Sequence, residues 1–368
     1  MISVCSRRLK YSFYAILFVV SFLPTAYGES SKLKVGVIVS LTGQAADYGE
    51  SIQNSIQLAI KDEPFLSQHV SFHFEDAAYD PKQAVSAFKK LTMVDKVDLV
   101  YVWGVSFCKA LGPLAESFKI PLVAQCIDPD TAKGRAYVVR FMNYTDQYLA
   151  VTSKYLSSKG VKRIGIVVSE NAYLEEMLDA LRRNLEPGQS VEVLDRYASN
   201  DADFRSIIST LKREEFDAVG VFLSAGQISS FYRQLSEQKV TMITFGTNFF
   251  ESLSEVQAAQ GTMEGAVFAN NEVRQVFIER YRNTYGKVTQ IGFGALSYEF
   301  ALTLARILKS ADNHNNAVSV LAALRKLKTE QGIAAGPYVG KANETVGSFI
   351  EFPIVMKRIE GNKFITLP

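Results

Sequence analysis

Only three histidines, three cysteines and one tryptophan occur in the 368 residues. So few histidines leave little room for catalysis. His69 and His73 fall in one expected strand, four residues apart and therefore on one face. No His-Glu-x-x-His and no paired Cys-x-x-Cys supplies the further ligands that zinc needs. Gly104-Val105-Ser106-Phe107-Cys108 lacks the closing glycine of a nucleophile elbow, and the one histidine after Ser106 is His314, in an Asn-rich polar stretch. Thr42-Gly43 is not followed by Gly-Lys-Ser/Thr, which excludes a P-loop. Gly292-Phe293-Gly294 lacks the third glycine and the βαβ setting of a dinucleotide fingerprint. Fixed-period repeats, low-complexity linkers and long charge blocks are missing too. An enzyme is not expected, nor a cofactor or a metal.

Cysteine usage leaves one question open. Cys5 lies in the N-terminal leader, while Cys108 sits early in an expected helix and Cys126 just after an expected strand. An oxidising compartment permits a disulfide between the last two, but spacing alone cannot place their Cα atoms within reach. Buried free thiols are the alternative.

The N-terminus does carry a signal. Arg7, Arg8 and Lys10 precede an apolar run from Tyr11 to Leu23, short for a bilayer span, and Pro24 ends it. Ala26-Tyr27-Gly28 offers small residues at the positions a signal peptidase reads, so residues 1–28 are expected to be a cleaved secretory leader. With no cysteine near Gly28 there is no lipoprotein attachment site, and a periplasmic location follows. Loss of Arg7, Arg8 and Lys10 leaves 37 basic against 38 acidic residues, a net charge of −1. Neither nucleic acid nor an anionic membrane is an expected partner. No second long apolar run is evident. The remaining length of about 340 residues, 48% hydrophobic overall, suggests two domains.

From residue 32 onward strands and helices alternate. "KVGVIVSL", "HVSFHFEDA", "VDLVYVWG", "IPLVAQ" and "AYVVRF" are expected strands separated by helices; one of these begins at Asp80-Pro81, a candidate cap followed by a proline in first position. The pattern restarts with "RIGIVVS", "SVEVLDRYA", "DAVGVFLS" and "TMITFG". Helices follow Gly265, and the late strands are "AAGPYVG" and "SFIEFPIVMKRIEGNKFI", the second turning at Glu360-Gly361-Asn362. This predicts an α/β fold with two open, mostly parallel sheets of about five strands each, helices on both faces.

Ligands of open α/β sheets bind beyond the carboxyl ends of the strands. Those ends carry Tyr48, Trp103 to Ser106 and Gln125 to Asp128 in the first series, and Ser169 to Tyr173, Ser224 to Gln227 and Thr247 to Phe249 in the second. Hydroxyls, amides, an acid and aromatics recur there, several just ahead of a helix whose free N–H groups favour an anion.

The segments "VGVIVSLTGQAADYGESIQNSIQLAI", "FEDAAYDPKQAV", "GPLAESFKIPLVA", "KRIGIVVSENAYLEEM" and "FIERYRNTYG…ALSYEFALTLARIL" resemble, in order, the type I periplasmic binding proteins, nearest their leucine/isoleucine/valine-binding branch. The resemblance implies two Rossmann-like lobes joined by three crossovers and closing on a ligand by hinge motion. Lobe one would comprise residues 32–143 and 270–348, lobe two residues 144–269 and 349–368. It also implies a monomer that delivers a small molecule to the membrane permease of an ABC importer. Tyr48 and Tyr173 match ligand-lining tyrosines, Val105-Ser106 the carboxylate-binding turn, and Cys126 a backbone contact. Four positions depart from the family: Asp128 replaces a threonine, Asn248 the acid that holds the ammonium, Ser224 a tyrosine, and Tyr79 a disulfide cysteine. Either Asp128 takes over the ammonium from the opposite lobe, or the ligand has no amine. The expected ligand-binding set is Tyr48, Trp103, Val105, Ser106, Cys126, Asp128, Tyr173, Ser224 and Asn248. The expected ligand is an amino acid or amino-acid-like compound. The alternatives are an amide, aromatic or other carboxylate, and a sensory protein that docks on a membrane receptor or kinase.

Overall fold

Apolar runs such as Leu99–Trp103 and Ala218–Phe222 are buried along their whole length, as strands covered on both faces must be. The structure, a computed structural model, describes residue 1 and residues 32–43, 45–198, 200–310 and 316–368. The expected leader, beyond its first residue, and His314 lie outside the described residues.

The first series runs β1 (Leu33–Val39), α1 (Ala46–Asp62), α2 (Pro64–His69), β2 (Val70–Asp76), α3 (Pro81–Lys89), β3 (Leu99–Trp103), α4 (Val105–Phe118), β4 (Leu122–Gln125) and β5 (Val138–Arg140). The second runs α5 (Thr145–Ser158), β6 (Arg163–Ser169), α6 (Ala172–Arg183), β7 (Ser190–Tyr197), α7 (Arg205–Arg213), β8 (Ala218–Phe222), α8 (Gln227–Glu237), β9 (Ile243–Gly246), α9 (Leu253–Ala258) and β10 (Val267–Asn271). The chain ends with α10 (Gln275–Tyr285), α11 (Ile291–Ser310), α12 (Ala317–Arg325), β11 (Val339–Asn343), β12 (Gly347–Glu351), β13 (Ile354–Glu360) and β14 (Lys363–Thr366).

The strands form two sheets, ordered β11-β12-β5-β4-β3-β1-β2 and β14-β13-β10-β9-β8-β6-β7. Each has seven strands rather than the expected five. Both cores are parallel, and the additions are short antiparallel pairings, β11 on β12 and β14 on β13 on β10. In each sheet the strand order reverses once, between β1 and β3 and between β6 and β8.

Local chemistry explains most of the elements. Asp80 caps α3 by accepting the Lys82 N–H at 2.8 Å, with Pro81 in first position, as its sequence predicts. α6 buries Leu174, Met177, Leu178 and Leu181 on one face, each contributing about 1.5–3 kcal/mol relative to exposure. α11 is a 20-residue helix long and apolar enough to cross a bilayer by length and composition, but 89% of its apolar window is buried inside the protein.

Two expectations need correction here. His69 ends α2 and does not share a strand with His73, because Pro64 and the Glu63 carboxylate, which accepts the Phe65 N–H at 3.2 Å, start a helical turn just ahead of β2. The lobe bounds shift: residues 270–271, expected with the first lobe, pair in the second sheet as part of β10, and residues 349–351, expected with the second, pair in the first sheet as part of β12. The break comes at Phe352-Pro353, where proline has no N–H for a ladder.

Three segments therefore carry the chain between sheets: after β5, after β10, and between β12 and β13. One buried side chain touches all three. The Asn143 amide donates to the Phe352 carbonyl at 3.0 Å and accepts from the Phe352 N–H at 3.1 Å, and its Oδ1 also accepts from Asn271 Nδ2 at 2.8 Å. Tyr148 donates its hydroxyl to Asn271 Oδ1 at 2.5 Å. All four residues are at most 2% exposed.

Candidate functional site

The turn between β1 and α1 is held by a carboxylate from the neighbouring strand. Asp76 accepts from the Leu41 N–H at 2.8 Å, the Thr42 hydroxyl at 2.5 Å and the Ala78 N–H at 2.9 Å. Partial burial raises its pKa, but these donors outweigh that and hold it below the usual aspartate value. Gly49 lets α1 approach: a Cβ there would lie 1.9 Å from the Ser40 carbonyl oxygen. Beyond β2, Ala78 and Tyr79 both adopt positive φ, 44° and 58°, which costs roughly 1–2 kcal/mol per non-glycine residue. The turn is tied down by Asp80 N–H to Ala77 carbonyl at 2.7 Å and Tyr79 N–H to Ser40 Oγ at 2.8 Å. Strain of this kind persists only where the surroundings over-determine it. Here it presents the Tyr79 ring to the same space that Tyr48 faces.

That space is a cavity of about 560 Å³ at the carboxyl ends of the parallel strands of both sheets, where the strand order reverses. From the first sheet come Tyr48, Tyr79, Trp103, Gly104, Val105, Gln125 and Cys126; from the second come Asn171, Tyr173, Ser224, Gly226, Asn248 and Phe249. Phe293, on the first turn of α11, completes one wall. Tyr48 stacks on Trp103 with ring centroids 4.8 Å apart and meets Phe293 edge-on at 5.3 Å. Trp103 also touches Phe293 at 5.7 Å and Tyr79 at 5.8 Å. Opposite them, Tyr173 stacks on Phe249 at 4.5 Å, and Phe249 reaches Tyr48 across the space at 6.0 Å. Burial first, then the neighbouring phenols, pushes the Tyr48 hydroxyl well above the usual phenol range, and burial raises those of Tyr79 and Tyr173. All three stay protonated and can donate.

Polar groups on the walls are few and mostly engaged. Asn171 caps α6 by accepting the Tyr173 N–H at 2.8 Å, and Asn248 Oδ1 accepts the Tyr173 hydroxyl. Gln125 donates to the Phe293 carbonyl at 2.8 Å and accepts from Ser297 Oγ at 3.2 Å. The N-terminus of α8 is already matched by an anion: Gly226 and Ser229 donate to the Glu255 carboxylate, the latter at 2.9 Å. The N-terminus of α4 differs. Gly104 precedes it at φ 110°, no side chain caps it, and Gly104 and Val105 lie on the cavity wall. Among the described residues, none that lines the cavity is Asp, Glu, Lys, Arg or His.

The profile of the family described as periplasmic binding protein matches residues 32–348. This chain belongs to that family. The Leu/Ile/Val-binding protein BraC3 of Rhizobium johnstonii is 32% identical over 209 residues, 54% of this chain and 56% of the relative. The matched part thus spans little more than half of that relative's length. Among solved structures, the leucine binding protein LivK of Thermotoga maritima superposes with a TM-score of 0.79 at 20% identity, covering 91% of this chain and 98% of the other. An ABC transporter solute binding protein of R. palustris, in complex with benzoate, gives 0.77 at 18% identity over 92% and 96%. The resemblance read from the sequence and the two-lobed α/β architecture both stand.

In this periplasmic binding protein, seven of the nine residues expected at the site line the cavity: Tyr48, Trp103, Val105, Cys126, Tyr173, Ser224 and Asn248. Asp128 does not. It is 2% exposed, and its carboxylate accepts from Thr131 Oγ1 at 2.7 Å and pairs with Lys109 at 3.3 Å. Both partners, Thr131 and the half-exposed Lys109 of α4, lie off the cavity wall. Ser106 is also off the wall; its buried Oγ lies beside the Tyr79 phenol. Cys108 and Cys126 are both buried and stand as free thiols in contact with each other.

Sequence reading missed three rings. Tyr79 stands just past the end of β2, where the strand-end rule, if applied there, would have found it. Phe249 was within a loop that the rule did name. Phe293 begins a helix after the second crossover and follows no strand, so no local signal marks it.

Proposed function

We propose that this chain is the solute-binding component of an ABC importer, which captures a small metabolite between its two lobes and hands it to a membrane permease. The observation that carries this reading is the cavity itself, walled by rings from both sheets at both reversals of strand order. Its volume of about 560 Å³ lies within the range of sites that enclose a small organic molecule. Lobe one would comprise residues 32–143 and 272–351, lobe two residues 144–271 and 352–368, closing about the segments that Asn143 joins. Residues 1–28 would direct export, and the protein would act in the periplasm as a monomer without turning its ligand over.

The ligand-binding set under this reading is Tyr48, Trp103, Val105, Cys126, Tyr173, Ser224 and Asn248, joined by Tyr79, Phe249 and Phe293. Relatives named for leucine, isoleucine and valine, and a neighbour holding benzoate, bracket the ligand between an amino acid and a simple carboxylate. A ligand that binds only the folded state raises stability by about 2.7 kcal/mol at a hundred times its Kd. A thermal-shift screen over amino acids, amides and aromatic acids is therefore expected to yield at least one compound that raises Tm. A flat response across the panel, with no calorimetric heat, would sink the proposal.

A further inference from the structure

We infer that the solute is an aromatic carboxylate that carries no ammonium group. This inference rests on the proposed capture function and specifies what the same cavity selects.

Charge is the first argument. An ammonium enclosed between the lobes needs an anion to offset its lost hydration. Among the described residues, the walls carry no acidic side chain. Three buried carboxylates touch the lining segments, and all are engaged: Asp128 by Thr131 and Lys109, Glu255 by the N–H groups of Gly226 and Ser229, and Glu251 by Lys357 and Asn270. The amide oxygens on the walls are occupied as well, those of Asn171 and Asn248 by Tyr173 and that of Gln125 by Ser297.

Donors are left over. The amide nitrogens of Asn171 and Asn248 and the hydroxyl of Tyr48 make no hydrogen bond to the described residues, and the first turn of α4 is uncapped at the wall. A head group made only of acceptors fits this set, and the helix start favours one with negative charge.

Ring faces are the second argument. Six of the lining side chains are aromatic: Tyr48, Tyr79, Trp103, Tyr173, Phe249 and Phe293. Two stacked pairs face each other across the cavity, so a planar ring finds both faces and edges to pack against.

Trp103 is the sole tryptophan of the chain, so its emission reports binding directly. The decisive pair of probes is 3-phenylpropanoate and L-phenylalanine, which differ only by the ammonium; phenylacetate and L-phenylglycine form a second such pair. At least one des-amino acid is expected to change the emission saturably and to bind at least roughly 100-fold tighter than its amino-acid counterpart. Amino acids that bind as tightly would overturn the ligand class and leave solute capture standing. Binding confined to solutes without a carboxylate would overturn it equally. If neither pair nor a broad metabolite panel binds by calorimetry, the capture function falls too. The Asn248→Asp variant, nearly isosteric, restores an acid to the wall. It is expected to weaken the des-amino acid about tenfold or more and to strengthen L-phenylalanine; no change in their ratio would remove charge as the selecting feature.

Discussion

Asn143 Oδ1 accepts a hydrogen bond from Asn271 Nδ2 at 2.8 Å, joining two residues 128 positions apart at the first and second passages between the sheets. The same Asn143 amide closes both hydrogen bonds with the Phe352 backbone at the third passage. Replacing it by alanine orphans the Phe352 N–H and carbonyl in a buried place. Asn143→Ala is expected to lower unfolding stability by about 2–4 kcal/mol, read from urea denaturation. Small-angle scattering of the ligand-free variant should show a larger radius of gyration, since the three passages lose their common anchor.

Asp76 offers a pH test. Its folded pKa lies below its ordinary value of 3.8, so its contribution is fully present above about pH 4 and is lost as pH falls through the depressed value. Asp76→Asn keeps the shape and removes the charge. The variant should be less stable by about 1–3 kcal/mol at pH 7 and show a shallower loss of stability between pH 4 and pH 2.

Glu299 has the opposite sign. It is buried in the middle of α11 and accepts from the Ala334 N–H at 2.5 Å and the Ala335 N–H at 3.3 Å, with Arg306 at 3.7 Å. Burial, which outweighs these partners, raises its pKa above the ordinary 4.5. Its ionisation therefore costs stability progressively as pH rises through the folded value. Glu299→Leu is expected to lose about 2–4 kcal/mol by orphaning both N–H groups. Glu299→Gln should lose less and abolish that pH dependence, as read from chemical denaturation between pH 4 and pH 8.

Phe249 is the ring of the second sheet that meets Tyr48 of the first. Under the proposed function, Phe249→Ala should weaken the ligand about tenfold, an effect of ring contact measurable by titration of Trp103 emission. An unchanged affinity would place the ring outside the site.

Cys108 is 0% and Cys126 3% exposed, and burial, foremost, pushes the Cys108 thiol well above its ordinary range. Reactive thiols need access and thiolate character. Peptide mapping after iodoacetamide treatment should find both residues unlabelled in the native protein and labelled in guanidinium.

Parts of this molecule are legible in the sequence. β1, β3, β6 and β8 announce themselves as unbroken apolar runs, and with their order known the strand-end rule points to Tyr48, Trp103, Tyr173 and Ser224. Asp128 shows the limit of that rule: it locates a residue at a strand end but not the direction of its side chain, which here meets Thr131 and Lys109. The Asn143 network was invisible because its partners lie 128 and 209 residues away and carry no local pattern. The break between β12 and β13 was hidden in one continuous apolar stretch, where only Pro353 hinted at a change of sheet.

That break bears on how the chain is made. The first sheet takes its edge strands from residues 339–351 and the second from residues 354–366, so a nascent chain halted before residue 339 has two unfinished sheets. Both lobes depend on chain beyond residue 338 to close a sheet edge. Truncation before residue 339 is therefore expected to destabilise both lobes rather than one.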